Sequence, residues 1–466
     1  MTADTHEVAV ARLRAAYIAV PPGTPVRLAK RTSNLFRFRD ADPKSPKSPK
    51  SAQSPTAPLD VSAFDHVLHV DPARRTAWAG GMTTYEDLAD ATLRHGLMPK
   101  VVPQLKTITL GGAVTGLGIE STSLRNGLPH ESVTEMEILT GDGRVLRATA
   151  DNEHADLFRG FPNSYGTLGY ALSLTIELEP VRPFVHLRHF AFGNADECME
   201  AIGQIAAEGS FRGHRADFVD GTAFTPGELY LSVGAFSDVA PWRSDYTGQQ
   251  IYYTSIAAAK EDFLTIRDYL WRWDTDWFWC SKAFGVQRPL IRRMWPRRYR
   301  RSDVYRRLVA LDQRYGLTDA LNSRRQQPSR EFVTQDVEIP VEHGADFLRF
   351  FDGCVGMRPV WICPLRDAQA WPLYPLKPGE VYVNFGFWGT VALPADIGVR
   401  ADGYYNRLIE DEVSKLDGHK SLYSTAFYPE DEFDRRYNGE AYRALKRAYD
   451  GQGRLLGLYE KCVRGR

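Results

Sequence analysis

Apolar residues recur at helical spacing over residues 5–19, Ala195–Ala207, Tyr404–Leu416 and Glu440–Tyr449, which predicts four helices. A fifth covers Thr84–His95, with Thr84 as its N-cap and Gly96 as its stop. Elsewhere the period drops to two. Phe64–Trp78 reads as paired strands, HVLHVD then RRTAWAG. Met136–Leu139 and Val145–Ala148 flank Gly141-Asp142-Gly143, a hairpin signal. Leu172–Leu178 predicts a half-buried strand, and Val185–Phe192, Ala216–Phe224 and Leu229–Phe236 predict three more. Val181-Arg182-Pro183 marks a boundary between the two regions. Val26–Arg39 contains a polar turn at Arg31-Thr32-Ser33-Asn34. The repeated Ser-Pro-Lys run Lys44–Pro58 has nothing to bury and its prolines block helix, so a disordered surface insert is expected.

One stretch breaks both periodicities. Gln104–Val133 carries Gly111-Gly112, then Gly116 and Gly118, then Arg125-Asn126-Gly127 and His130-Glu131. Glycines this dense let backbone approach a ligand and let φ turn positive. Arrays of bare amides suit anionic phosphate. No G-x-x-x-x-G-K-[ST] occurs, and Gly116–Ser121 only half-fits G-x-G-x-x-G without opening a helix.

Composition narrows the classes. The 466 residues suffice for two or three domains, and 43% hydrophobic with 25% charged residues is ordinary for a globular core. Zero formal net charge argues against a nucleic-acid binder. No apolar run approaches the roughly 18–20 residues of a membrane span, and the N-terminus lacks the apolar core of a secretory signal. Five scattered cysteines without C-x-x-C read as reduced thiols in a cytoplasmic protein, with no metal site.

The segment PQLKTITLGGAVTGLGIES…NGLPHESV resembles the flavin-binding segment of FAD-linked oxidoreductases of the vanillyl-alcohol-oxidase superfamily, closest to its delta(24)-sterol reductase group. The likeness continues in order through AGGMTTYEDL, EMEILTGDGRVLRA, DLFRGFPNSYGTLGYALSLTIEL, RPVWICPL, EVYVNFGFWG and SLYSTAFYPEDEFDRRYNGEAYRALK. Within that group the chain resembles the actinobacterial methylene-fatty-acyl reductases. The resemblance implies an α+β fold: a two-subdomain FAD-binding domain of PCMH type over 1–182, an α+β substrate domain with an antiparallel sheet over 183–420, and a C-terminal segment, 421–466, that closes the flavin site.

It also implies site residues. Flavin pyrophosphate and ribityl contacts are expected at Arg31, Ser33, Asn34, Gly80, Gly81, Met82, Thr83, Thr107, Thr109, Leu110, Gly111, Gly112, Gly116 and Gly118. Ring and adenine neighbours are expected at Ser121, Asn126, Gly127, His130, Glu131, Gly166, Thr167 and Leu168. Lys30–Phe36 stands where many members carry an R-G-G-G-H-S-like loop, so one histidine used elsewhere for covalent attachment is missing. His130 remains a linkage candidate, but non-covalent FAD is expected.

The implied reaction is NADPH-driven reduction of an unactivated C=C bond. With no carbonyl to polarise that bond, one carbon must be protonated while hydride reaches the other, which calls for an acid, a dry apolar site and aromatic faces. Candidate acids are Tyr423, Tyr428, Glu430 and Tyr437, with His130 an alternative from the flavin side. Arg358, Trp361, Cys363, Phe385, Phe387 and Trp388 are candidate substrate contacts. The preferred substrate is a methylene-branched fatty acyl chain, with a methyltransferase as the partner that makes it. A sterol side-chain alkene, an alcohol or sugar oxidase reaction, and a membrane-associated protein that holds FAD only structurally are the alternatives.

Residues 268–307 form a second unusual stretch. Trp271, Trp273, Trp277 and Trp279 precede RPLIRRMWPRRYRRSDVYRR, which holds nine arginines in twenty residues. That composition suits a peripheral membrane contact at the inner face of the plasma membrane, or a solvated basic helix with core aromatics.

Overall fold

Alternation along the chain is realised as two antiparallel sheets. The computed structural model describes residues 3–21, 23–30, 33–37, 57–315, 330–394 and 403–465. A small parallel pair comes first, β1 (Val26–Leu28) with β2 (Ala57–Leu59). Ala57 and Pro58 therefore belong to a strand and not to the Ser-Pro-Lys insert; proline is tolerated in so short an edge pair. The rest of that insert, 44–56, lies outside the described residues.

The first sheet has the order β3-β4-β8-β6-β7: Val67–Asp71, Thr76–Gly80, Gly169–Pro180, Val133–Thr140 and Val145–Ala148. β5 (Leu97–Pro99) also pairs with β8. The helix Tyr85–Leu93 packs beside it, and Thr84 caps its start by accepting from Asp87 N at 3.2 Å. Close backbone packing explains two of the glycines here. A Cβ on Gly80 would lie 2.1 Å from Phe64 O, and one on Gly81 2.1 Å from Ala171 O.

A two-residue hairpin, β10 (Ser210–Phe211) with β11 (His214–Arg215), stands apart. The second sheet has eight strands in the order β14-β9-β13-β12-β16-β17-β15-β18. They span Glu261–Thr265, Phe184–Phe192, Glu228–Ser237, Phe218–Thr225, Val360–Leu365, Tyr382–Ala392, Arg330–Pro340 and His419–Lys420. Strand period sorts its side chains onto two faces. Val333, Val337, Val360, Ile362, Phe385 and Phe387 pack under helices Ala195–Glu208 and Gly344–Cys354. Trp361, Cys363, Tyr382 and Trp388 face the other way, into the core shared with the first sheet.

The basic aromatic stretch is mostly interior. Trp271, Trp273, Trp277 and Trp279 are all buried. Arg272 pairs with Asp220 at 2.8 Å and Arg292 with Asp276 at 2.7 Å, all four side chains nearly inaccessible. Each guanidinium is thus matched by a carboxylate, which is what burial of such a charge requires. Among the described residues, no helix is long and apolar enough to cross a membrane.

Candidate functional site

The glycine stretch and the inner face of the eight-stranded sheet enclose a cavity of about 760 Å³. Its glycine side is built locally. Thr109 Oγ1 accepts from Gly112 N at 3.2 Å and caps the short helix Leu110–Gly116. Tyr165, itself at φ 50°, donates its hydroxyl to Gly116 O at 2.5 Å and its backbone N–H to Thr115 O at 2.9 Å. A Cβ on Gly116 would press against that ring at 3.0 Å. Lys461 reaches in from the helix Leu458–Cys462 and donates to Tyr165 O at 2.6 Å. Burial and neighbouring cations push its ammonium down to about 7.

The opposite side is assembled from distant segments. Phe36 N donates to Tyr423 O at 2.9 Å, and Thr425 N to Phe36 O at 3.2 Å, so an N-terminal strand residue clamps the C-terminal segment. The Phe36 ring stacks on Trp277 at 5.7 Å and meets Tyr423 edge-on at 6.0 Å. Phe278 lies 4.3 Å from Trp388 and 5.4 Å from Trp361. Together these rings make an aromatic wall.

One acidic relay interrupts the wall. Trp388 Nε1 donates to Tyr423 Oη at 2.9 Å, and the Asp336 carboxyl neighbours that hydroxyl on the cavity wall. Asn384 Nδ2 donates to Asp336 Oδ1 at 3.2 Å. Gly386 stands opposite Asp336 in the β15·β17 register, and a Cβ there would come within 2.5 Å of Asp336 Oδ1. Burial raises the Asp336 carboxyl from 3.8 to about 7, because desolvation penalises its charged form more than its donors stabilise it. Two residues on, and so on the same face, Glu338 is pushed up to about 8 by burial. It accepts from Ser421 Oγ at 3.0 Å and from the Tyr374 hydroxyl. Two protonatable carboxyls near neutral pH, one of them on the cavity wall, give the site a proton source.

The sequence expectations divide here. Of the flavin contacts, Ser33, Asn34, Met82, Thr107, Thr109, Gly111, Gly112, Gly116, Gly118 and Gly166 line the cavity. Arg31 lies outside the described residues. Gly80, Gly81, Thr83, Leu110, Thr167 and Leu168 do not line it; they pack behind the wall as close-contact backbone or buried core. Ser121 is buried against Glu120 and Tyr269. Asn126, Gly127 and Glu131 line a separate cavity of about 380 Å³ with Arg366 and Asp367. Glu131 is engaged there, accepting from the backbone of Ala368 at 2.9 Å.

Among the candidate acids, only Tyr423 reaches the cavity. The other four need correction. His130 is fully buried edge-on against Trp371 at 4.4 Å, and burial holds its imidazole down to about 3, so it is neutral at pH 7 and has no proton to give as a cation. Tyr428 is buried beside Tyr437, and Tyr437 donates to Lys420 O at 2.7 Å. Glu430 is exposed and pairs with Arg464 at 3.0 Å.

Of the substrate contacts, Trp361 and Trp388 line the cavity. Phe385 and Phe387 cannot join Trp388, because neighbouring strand positions face opposite sides; Phe385 stacks on Phe347 and Phe387 packs at a tilt against Phe351. Cys363 is buried near Val219 O at 3.9 Å, and Arg358 pairs with Asp352 away from the cavity. Asp336, Lys461 and the Trp277–Phe278 wall were not anticipated as site residues. A usable signal existed for Asp336: a glycine inside a strand, Gly386, marks a close approach from the neighbouring strand.

These residues fit a flavin dinucleotide. The volume suffices, the cavity is backed by glycines with no room for a Cβ, and Lys30 and Lys461 offer amines that an anionic group would hold protonated against the burial that lowers both. Residues 45–149 match the FAD binding domain family. The chain is similar to the Delta(24)-sterol reductase of Arabidopsis thaliana, 24% identical over 446 residues that cover 88% of this chain and 77% of that protein. It is similar to the Delta(24)-sterol reductase of Pisum sativum, 24% identical with 88% and 76% covered. Against that of Homo sapiens it is 24% identical, covering 69% of this chain and spanning only 61% of the human protein's length. Together the matches support an FAD-linked oxidoreductase.

Proposed function

We propose that the chain is an FAD-dependent, NADPH-driven reductase of an unactivated C=C bond in a lipid, with a methylene-branched fatty acyl chain as substrate. The observation that carries this reading is the Trp388–Tyr423 hydrogen bond beside the buried Asp336 carboxyl, set in an aromatic wall of the same cavity as the glycine stretch. Bound FAD would supply the hydride at its ring. The chain's own residues supply the rest. Ser33, Thr109, Gly111, Gly112 and Lys461, which line the cavity, would hold the cofactor.

Tyr423 gives its hydroxyl proton to one alkene carbon, and Asp336, protonated below about pH 7, returns a proton to Tyr423. Positive charge then develops on the more substituted carbon, where the faces of Trp361, Trp388 and Phe278 stabilise it. A hydride supplied to that carbon would complete the addition, so the substrate would take up one proton and one hydride and become saturated. The apolar lining keeps water from the cation.

The relatives' names favour a second reading, in which the alkene is in a sterol side chain. Its chemistry and its proton donor are the same, so the two differ only in substrate. The test is an anaerobic absorbance spectrum before and after NADPH, followed by turnover of a methylene-branched acyl lipid and of a sterol alkene. Bleaching of a flavin band and saturation of the acyl lipid is the expected result. A band that NADPH leaves unchanged would sink the reductase reading, and saturation of the sterol alone would move it to the second substrate.

A further inference from the structure

The short helix Pro289–Met294 shows two different faces. Arg292 turns inward, pairs with Asp276 and donates to Gly248 O at 2.8 Å and Gln250 O at 2.9 Å, which anchors the helix without any surface contact. On the opposite face, one turn apart, Leu290 and Met294 are 77% and 76% exposed, more than any other large apolar residue described. Tyr299 follows at 44% exposure, with the Arg298 guanidinium 4.8 Å above its ring.

Charge surrounds these side chains. Arg288, Arg293 and Arg298 are exposed and, among the described residues, form no ion pair; Arg297 is matched by Asp245 at 3.3 Å. The chain carries zero formal net charge, so this cationic patch is a local feature and not the by-product of a basic protein. Apolar side chains that project outward amid unmatched arginines are complementary to a lipid surface. The former enter the acyl boundary while the latter meet headgroup phosphates. The helix Ser302–Tyr315 continues from the patch and puts Arg306 on the wall of the main cavity.

We propose that Leu290, Met294 and Tyr299, with Arg288, Arg293 and Arg298, dock the protein on an anionic bilayer. That the bilayer also delivers the substrate rests on the lipid-reductase reading; the docking itself does not. The experiment is cosedimentation of the full chain with vesicles of phosphatidylcholine, plain or doped with phosphatidylglycerol, at low and high salt. The protein should pellet with the doped vesicles and release as salt rises. Leu290→Glu with Met294→Glu should cut the bound fraction roughly tenfold. Arg293→Glu with Arg298→Glu should remove the preference for phosphatidylglycerol, and both double variants should melt at the wild-type temperature. Wild-type protein that ignores doped vesicles, or a Leu290→Glu/Met294→Glu variant that still pellets fully, would overturn the proposal. Vesicle binding with a flavin indifferent to NADPH would leave docking standing and remove only the reductase reading.

Discussion

The two sides of the main cavity are built on different plans. The glycine side comes from nearby sequence, uses mostly backbone, and is held by local caps and by Tyr165. The aromatic-acidic side gathers Phe36, Trp277, Phe278, Asp336, Trp361, Trp388 and Tyr423 from across almost the whole chain. The first plan suits a large constant ligand, because backbone atoms recognise shape and phosphate. The second suits chemistry, because side-chain pKa values are set by how segments bury one another. Damage to the first side should therefore appear as lost fold or lost cofactor, and damage to the second as lost turnover.

The sharpest way to break that contrast is Tyr423→Phe. It keeps the ring against Phe36 but removes the proton, and turnover is expected to fall by about 10²–10⁴ with flavin content unchanged. Flavin lost in parallel would show that the two sides are not separable. Asp336→Asn is expected to match it in direction while abolishing the pH dependence that follows from the carboxyl.

The sign of that dependence is fixed by the raised pKa. Asp336 is protonated below about 7, so turnover should drop as pH rises through 7, by about tenfold per unit. For stability, a folded pKa above the unfolded one favours the fold at low pH. The contribution is full below about 4 and is lost as pH rises toward 7 for Asp336 and toward 8 for Glu338. Buried histidines such as His130 act in the opposite sense over that window, so the cofactor-free melts are read against an Asp336→Asn/Glu338→Gln variant; a wild-type excess stability that grew with pH would contradict the burial of both carboxyls.

On the glycine side, Gly81→Ala drives a Cβ into Ala171 O and should cost about 1–3 kcal/mol in a denaturant melt. Its residual folded fraction should turn over normally. Trp388→Phe removes one donor to Tyr423 while keeping an aromatic face, and the loss should be about 1 kcal/mol, several-fold in turnover. Glu430→Gln should be smallest, within about 0.5 kcal/mol in stability and with no effect on turnover, since its pairing with Arg464 is exposed.

The same contrast decides what was legible in the sequence. Elements whose cause is local were readable: the capped helix after Thr84, the Gly141–Gly143 hairpin and the strands of 184–237. So was the glycine stretch, because missing Cβ atoms are visible in one sequence. Side-chain roles were harder. EFVTQDVEIP was not recognised as a strand, and its Asp336 and Glu338 look like a solvated edge until Tyr374, Asn384, Ser421 and Tyr423 close over them. Phe385, Phe387 and Trp388 were grouped by type, whereas strand period separates them. His130 and Tyr437 were candidates because of their chemistry, and burial disqualifies one while a backbone carbonyl occupies the other. The tryptophans at 271–279 resembled an interfacial belt because the carboxylates that neutralise the neighbouring arginines, such as Asp220, lie far away in sequence.

Lys461 and Leu456 complete a wall whose glycines lie near residue 112. On a ribosome, that wall stays open until Leu456 and Lys461 have emerged, long after the glycines they face. The nascent protein must therefore hold its flavin-side glycines and its sheet edge without the cofactor until then. Cofactor capture becomes a checkpoint on that late segment, and the amount of flavin that copurifies with the chain would report how much of it has folded through Lys461.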